Sequence, residues 1–128
     1  MKLQIIAPAK QEPIYKASVH RTGKIGFTIE TANEFKISVE KSMVLAINPD
    51  ERKGAAIYGI LSPSNDPNGY KIQKAGKYHS VNAKGFFESL KFIYEEGNIT
   101  FTVTEIDVEG TKALKFTPKE PIKEHLPF

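Results

Sequence analysis

The chain has 128 residues, no cysteine and a net charge of +3, from 18 basic and 15 acidic residues. This length is typical of a single domain. The lack of cysteine excludes disulfides, thiolate catalysis and cysteine-ligated metal sites, so folding must depend on packing. No apolar run approaches the roughly 18 residues that span a bilayer, and the apolar stretch near the start is too short for a signal-peptide core. We therefore expect a soluble, cytoplasmic, single-domain protein.

Most of the chain alternates between apolar and polar residues, which is the pattern of strands with one buried face. In the first such tract, Ala17 and Val19 should point inward, whereas Lys16 and His20 should point outward. The chain then reverses near Gly23 into a second strand, which predicts a hairpin. Further strands are predicted at 43–47, 56–61, 70–74, 78–81, 99–106 and 113–117.

Helical signals are weaker than strand signals. One helix is predicted over residues 83–92, because Asn82 is a suitable N-cap and the apolar residues that follow recur on one face. A second short helix that begins near Thr31, with Glu34 in capping-box relation, fits the sequence. A hairpin that turns at residues 32–33 fits it equally well, and the sequence leaves the two alternatives open.

A faint internal repeat supports the second helix, since residues 22–35 resemble residues 75–87 about 53 positions later. Each copy is followed by an apolar strand, a polar turn and another strand. Two such units packed together would give a pseudo-symmetric structure. The expected fold is therefore a β-rich α+β domain of antiparallel strands with one or two short helices. It should cover residues 1–117 and be followed by a flexible tail over residues 118–128.

Signals for catalysis or metal binding are sparse. The sequence has three histidines, and it contains neither a nucleophile elbow of the G-x-S-x-G type nor a pair of histidines with metal-ligand spacing. The two Gly-Lys pairs lack the further glycines and the Ser or Thr of a phosphate-binding loop, and we interpret them as hairpin turns. We therefore expect no enzymatic activity, no catalytic residue, no metal site and no cofactor.

Basic and aromatic residues are concentrated in two predicted hairpins. A single-stranded nucleic acid exposes phosphates that attract lysine and arginine, and unstacked bases on which rings stack for about 1–3 kcal/mol per base. The hairpins therefore indicate binding of single-stranded DNA with little sequence preference. The alternative from another class is a non-catalytic interaction module, in which the tyrosines cover the sheet and the lysines keep it in solution. The nucleic-acid-binding candidates are Tyr15, Lys16, His20, Arg21, Lys24, Tyr70, Lys71, Lys74, Lys77, Tyr78 and His79.

The chain ends on Leu126, Pro127 and Phe128, after a segment that contains two prolines and alternating charges. This ending resembles the disordered tail of bacterial and phage single-stranded DNA-binding proteins, which closes with an acidic stretch, a hydrophobic residue, proline and phenylalanine. In that family the tip docks on replication, recombination and repair proteins. The resemblance implies the same partners for these three residues, although the family's tip is strongly acidic and this one is not.

The body resembles two families. Residues 43–90 are predicted as four strands followed by a helix, an order similar to that of the Whirly family of single-stranded DNA binders. The repeated Gly-Lys-strand-helix-strand-strand unit resembles the swapped-hairpin AbrB and MraZ transcription regulators, which bind duplex DNA as dimers. A five-stranded OB barrel is a third arrangement that fits the spacing. We expect the Whirly-like arrangement, with a duplex-binding regulator as the alternative. An incomplete sheet or swapped hairpins would favour a symmetric homodimer.

Overall fold

The computed structural model describes residues 1–8, 13–97 and 99–125. These residues form a β-rich structure in which no helix is both long and apolar enough to cross a membrane. The elements in chain order are β1 (Tyr15–Val19), β2 (Lys24–Phe27), α1 (Ile29–Glu34), β3 (Lys41–Ala46), β4 (Ile57–Pro63), β5 (Tyr70–Ala75), β6 (Tyr78–Asn82), α2 (Lys84–Ser89), β7 (Ile99–Val108) and β8 (Thr111–Pro118).

The strands close into one antiparallel barrel in the order β1, β2, β6, β5, β3, β4, β8, β7. The predicted β-rich α+β class with short helices is therefore confirmed. Each strand predicted from alternation is present, with its ends displaced by at most two residues. Displacements of this size are usual for element boundaries.

The barrel is built from two units with the same element order. The first unit, residues 15–63, contains β1, β2, α1, β3 and β4, and the second unit, residues 70–118, contains β5, β6, α2, β7 and β8. Hairpins from the two units alternate around the barrel. The equivalent strands β2 and β6 pair with each other, as do β4 and β8, so a pseudo-two-fold axis passes through both contacts. The sequence repeat therefore corresponds to a structural repeat.

The first unit contains the helix rather than the hairpin that the sequence also allowed. Thr28 is the N-cap of α1, and its side-chain oxygen accepts a hydrogen bond from the amide of Thr31 at 3.3 Å. The predicted capping box of Thr31 and Glu34 is wrong. Thr31 is buried, and its hydroxyl donates to the carbonyl of Lys16 at 2.9 Å instead. This bond ties α1 to β1.

Both helices end in the same way. Lys36 and Lys91 follow α1 and α2 with φ angles of 57° and 59°, and the amide after each donates to the carbonyl five residues earlier at 2.9 Å. These two lysines are 55 residues apart, so the repeat has a spacing of 55 in the helices instead of 53. The second helix is shorter than predicted and starts at Lys84, whose amide donates to the side chain of Asn82 at 3.3 Å.

Large apolar side chains fill the barrel. The rings of Phe27 and Phe101 lie 6.0 and 5.9 Å from that of Phe116 between centroids. Ala17 and Val19 are buried, as the alternation of the first strand predicts. Burial of each large apolar side chain contributes about 1.5–3 kcal/mol, so this interior is the main source of stability in a chain without disulfides.

The predicted domain boundary at residue 117 falls inside β8. Beyond β8 the chain remains in contact with the barrel, because Ile122 is buried and its amide donates to the carbonyl of Gly54 at 2.9 Å. An isolated bridge joins Phe92 to Glu124. The described part of the predicted tail thus packs through its one large apolar residue. Residues 126–128, the predicted partner-binding tip, lie outside the described residues.

A glycine in β4 offers a test of how tightly the barrel is packed. A Cβ atom on Gly59 would lie 2.8 Å from a ring carbon of Phe116 and 2.9 Å from the sulfur of Met43. We expect Gly59→Val to lower the free energy of unfolding in urea by about 1–3 kcal/mol, the usual cost of overpacking. The control is Gly85→Ala, since a Cβ atom there meets nothing within 4 Å. It should raise stability by about 0.5–1 kcal/mol. A Gly59→Val protein as stable as the parent would contradict this packing.

Candidate nucleic-acid interface

The two hairpins that carry the predicted binding residues are neighbours in the barrel. The first hairpin is β1 with β2 and the second is β5 with β6. They meet because β2 pairs with β6, from Lys24 with Asn82 to Phe27 with His79. All the candidate residues therefore lie on one side of the barrel, on the four adjacent strands β1, β2, β6 and β5 and in the turns of their hairpins.

This pairing is antiparallel, so the tip of each hairpin lies beside the base of the other. The candidates consequently form two groups that each draw on both hairpins. About 10 Å separates the groups along the strands, given a rise of about 3.4 Å per residue. One group contains His20, Arg21, Lys24, Tyr70 and Lys71, and the other contains Tyr15, Lys16, Lys74, Lys77, Tyr78 and His79.

Six cations stand on these four strands and their turns, and we call this part of the surface the basic face. Lys74 projects to the same side of the sheet as its partner His79, so it lies at the end of the barrel and not on its outer side. All six are exposed. None of them forms an ion pair with another residue of the described ranges. Residues 13–29 and 67–87, which include all four strands, contain no aspartate or glutamate. The six are Lys16, Arg21, Lys24, Lys71, Lys74 and Lys77.

The other four strands have a different charge pattern. Lys115 on β8 lies 3.9 Å from the carboxylate of Glu51, and Lys112 lies 3.5 Å from that of Glu105. Positive charge on that side is therefore partly neutralised within the chain. Charges of one sign that are gathered on one surface create a potential that attracts oppositely charged ligands and increases association rates. The basic face is the surface on which such a potential can develop.

Two of the three predicted stacking tyrosines pack against the protein. The ring of Tyr15 lies edge-on to Phe35, with centroids 5.1 Å apart, and that of Tyr70 lies edge-on to Phe86 at 6.5 Å. Both are half-buried, because they occupy inward-facing positions at the starts of their strands. Tyr78 is 63% exposed. Of the three rings, Tyr78 is therefore the one available to stack on a base.

The side chains of His20 and Arg21, at the tip of the first hairpin, each pack closely against a glycine. A Cβ atom on Gly26 would be 2.7 Å from Nε2 of His20, and one on Gly97 would be 2.7 Å from Cγ of Arg21. The absence of side chains at these glycines leaves space for both residues. The tip is thus held in place by packing as well as by the amide of His20, which donates to the carbonyl of Lys24 at 2.8 Å.

His79, like Tyr15 and Tyr70, occupies an inward-facing position of its strand. It pairs with Phe27 on one side and with Lys74 on the other. Its Nδ1 atom is buried and has no hydrogen-bond partner among the described residues. Burial, and then the positive charge of Lys74, lower the pKa of His79 from its ordinary value of 6.5. The neutral form is favoured, so His79 is not one of the cations of this surface at neutral pH.

One basic residue beside this surface, Lys84, is not among the residues predicted from the sequence. A Cβ atom on Gly23 would lie 2.7 Å from the Cα atom of Lys84, and the amide of Ala83 donates to the carbonyl of Gly23 at 3.0 Å. The first hairpin tip therefore abuts the start of α2 and places Lys84 next to it. Lys84 is exposed and lies 4.0 Å from Glu88. The predicted binding residues were taken from the two hairpins, whereas Lys84 belongs to the helix that follows the second hairpin.

No protein-family model matches the chain, and no curated protein or solved structure is significantly similar to it. Any assignment of function therefore rests on the surface geometry and charge of the chain itself.

The environment of His79 makes stability depend on pH. Its lowered pKa means that the unfolded chain binds a proton more readily than the folded one, so the free energy of unfolding falls as the pH drops below about 6.5. We expect His79→Asn to lose less stability than the parent between about pH 8 and about pH 5, measured as the urea midpoint at each pH. Equal losses for His79→Asn and the parent would contradict this account.

Proposed function

We propose that this chain is a non-catalytic DNA-binding protein whose basic face contacts the phosphates of duplex DNA. One observation carries the proposal: six exposed cations, without ion-pair partners in the described ranges, stand on four adjacent strands whose segments contain no acidic residue. Phosphates are the ligands that such a surface attracts most strongly, because each lysine or arginine that neutralises one also releases counterions from the DNA.

The spacing of the two groups of cations suits a double helix. Arg21, Lys24 and Lys71 lie toward one end of the four strands, and Lys16, Lys74 and Lys77 lie toward the other. A separation of about 10 Å along the strands is close to the width of the major groove, about 12 Å, so the two groups can contact phosphates on both of its sides.

The pseudo-two-fold axis also favours a duplex. It passes between β2 and β6, through the middle of the basic face. Two-fold proteins commonly bind DNA with their axis on a dyad of the duplex, so that equivalent side chains meet the two strands in the same way. A single strand has no such symmetry, and the basic face offers it just one exposed tyrosine ring, that of Tyr78, for stacking.

The arrangement of strands favours the resemblance to the swapped-hairpin regulators over the OB alternative. Eight strands, contributed as hairpins that alternate between two units, suit a swapped-hairpin barrel better than a five-stranded OB barrel. In this chain both units belong to one polypeptide. The basic face at their junction would therefore be complete in a single copy.

Removal of charge from the basic face tests the proposal. We expect Lys24→Gln combined with Lys71→Gln to weaken binding of a duplex oligonucleotide at least tenfold at low salt. The slope of log K against log salt should become shallower by about 1.8, since each phosphate contact contributes about 0.9. Fluorescence anisotropy over a salt series measures both quantities.

The matched control removes the same charge elsewhere. Lys112 and Lys115 lie on β8, on the side of the barrel opposite β2 and β6. Lys112→Gln combined with Lys115→Gln should leave the slope nearly unchanged. Equal losses in the two double variants would mean that net charge, and not this surface, governs binding. Absence of salt-dependent binding by the parent protein would refute the proposed function.

Single-stranded DNA, the ligand predicted from the sequence, is the second candidate because Tyr78 is 63% exposed beside Lys77. If its ring stacks on a base, Tyr78→Ala should weaken binding of oligo-dT by about 1–3 kcal/mol and leave duplex binding nearly unchanged. Parallel titrations with single-stranded and duplex DNA measure the difference. A preference of the parent for the duplex, together with small effects of Tyr78→Ala on both ligands, would exclude the single-stranded candidate.

The recruitment of replication or repair proteins by Leu126, Pro127 and Phe128 remains a prediction from the resemblance of the tip. These residues lie outside the described ranges.

A further inference from the structure

A hairpin of the barrel extends past its neighbouring strands. β7 runs to Val108, but its pairing with β1 stops at Val103. β8 begins at Thr111, but its pairing with β4 covers only Leu114 to Phe116. Residues 104–113 therefore form a two-stranded ribbon, and neither of its edges has a strand partner among the described residues. Open strand edges present unpaired backbone groups that can bind an added strand.

The first eight residues lack a partner of another kind, because their apolar side chains are not covered by the rest of the described chain. Leu3, Ile5 and Ile6 are 84%, 92% and 85% exposed, and no residue from 1 to 8 belongs to a helix or strand. We call residues 1–8 the arm. Its high exposure also shows that the arm does not lie on the ribbon of its own chain in this structure.

We propose that the arm of one copy adds as a strand to an open edge of the ribbon of a second copy. Isoleucine and leucine suit an extended strand that buries one face. Exchange between two copies can be reciprocal, so that each arm lies on the other copy's ribbon. The dimer would then have two-fold symmetry and twice the contact area of a single arm.

The two faces of the arm can be compared with the two faces of the ribbon. In an extended arm, Leu3 and Ile5 lie on one face, and Lys2 and Ile6 lie on the other, because successive residues alternate. In the ribbon, Ile106 and Val108 share one face, whereas Glu105 and Asp107 lie on the opposite one together with Lys112, the cross-strand partner of Asp107. Val108 is 45% exposed. An arm that places its leucine and isoleucine beside the apolar face brings its lysine to the acidic face.

Net charge is complementary as well. The arm has one lysine and no acidic residue, whereas the ribbon has three acidic residues and one lysine. Ionic attraction between exposed groups is modest, so it would fix the orientation of the arm more than its affinity. The apolar contacts would supply most of the affinity.

Sedimentation velocity of the full chain, from micromolar to millimolar concentration, tests the proposal. We expect a monomer-dimer equilibrium. Leu3→Glu combined with Ile5→Glu should raise the dimer Kd by about a hundredfold or more without changing the urea midpoint, because the arm is exposed in the monomer. The control is Val39→Glu combined with Ile47→Glu, two exposed apolar residues elsewhere, at 52% and 37%. This control should dimerise like the parent.

Two further measurements identify the contact. Asp107→Lys should weaken the dimer several-fold, and Lys2→Glu added to it should restore part of the loss. Hydrogen exchange of the amides at residues 104–108 should slow as the dimer forms. A protein that stays monomeric at all concentrations would overturn the proposal, as would a dimer that the arm variant leaves intact. Protection of the ribbon that does not depend on concentration would also overturn it, because the arm would then cover the ribbon of its own chain.

Discussion

The pairing of β2 with β6 is the contact on which both the fold and the proposed site depend. It joins two equivalent hairpins from the two units, whose helices end at equivalent lysines 55 residues apart. Without it, the eight strands would form an open sheet with β2 and β6 at its two edges, and the two hairpins would no longer be neighbours. With it, the hairpins become four continuous strands of a closed barrel. The same four residue pairs set how far apart the two groups of cations stand.

Exposure to solvent allows the chain to tolerate the concentrated positive charge of the basic face. Like charges repel, and six cations on neighbouring strands lower stability unless they are solvated or bound. All six are exposed to water, and the apolar interior beneath them contains the tilted rings of Phe27, Phe101 and Phe116. On the opposite side of the barrel, Lys112 and Lys115 pair with carboxylates, whereas this side leaves its lysines available. A ligand with several negative charges would relieve the repulsion, which is the reason we assign this surface to phosphate.

Local pattern predicted the local structure well. Alternation located each strand to within two residues, and it gave the orientation of Ala17 and Val19 correctly. It also places Tyr15 on the inward face with Ala17, and Tyr70 on the inward face with Ile72, so the expectation that these rings stack on bases conflicts with the strand pattern. The rings that cover them, Phe35 and Phe86, come from the helical segments.

Long-range pairing was the part that the sequence could not supply. The order in which hairpins alternate around the barrel depends on contacts between residues 27 to 88 positions apart, and turn chemistry does not encode them. The prolines and mixed charge of the residues after β8 predict a flexible tail, yet Ile122 is buried against the loop at Gly54 and backbone bonds join Lys123 and His125 to the segment after α2. Composition describes the average character of a segment, whereas one buried side chain can decide where it lies.

The most direct test of the central claim is an NMR titration of the full chain with a short DNA duplex, read as shifts of backbone amides. The account predicts that the shifts concentrate on β1, β2, β6, β5 and their turns, and that they diminish as salt is added. Shifts concentrated on β3, β4 and β8, or no salt-dependent shifts on any strand, would contradict it.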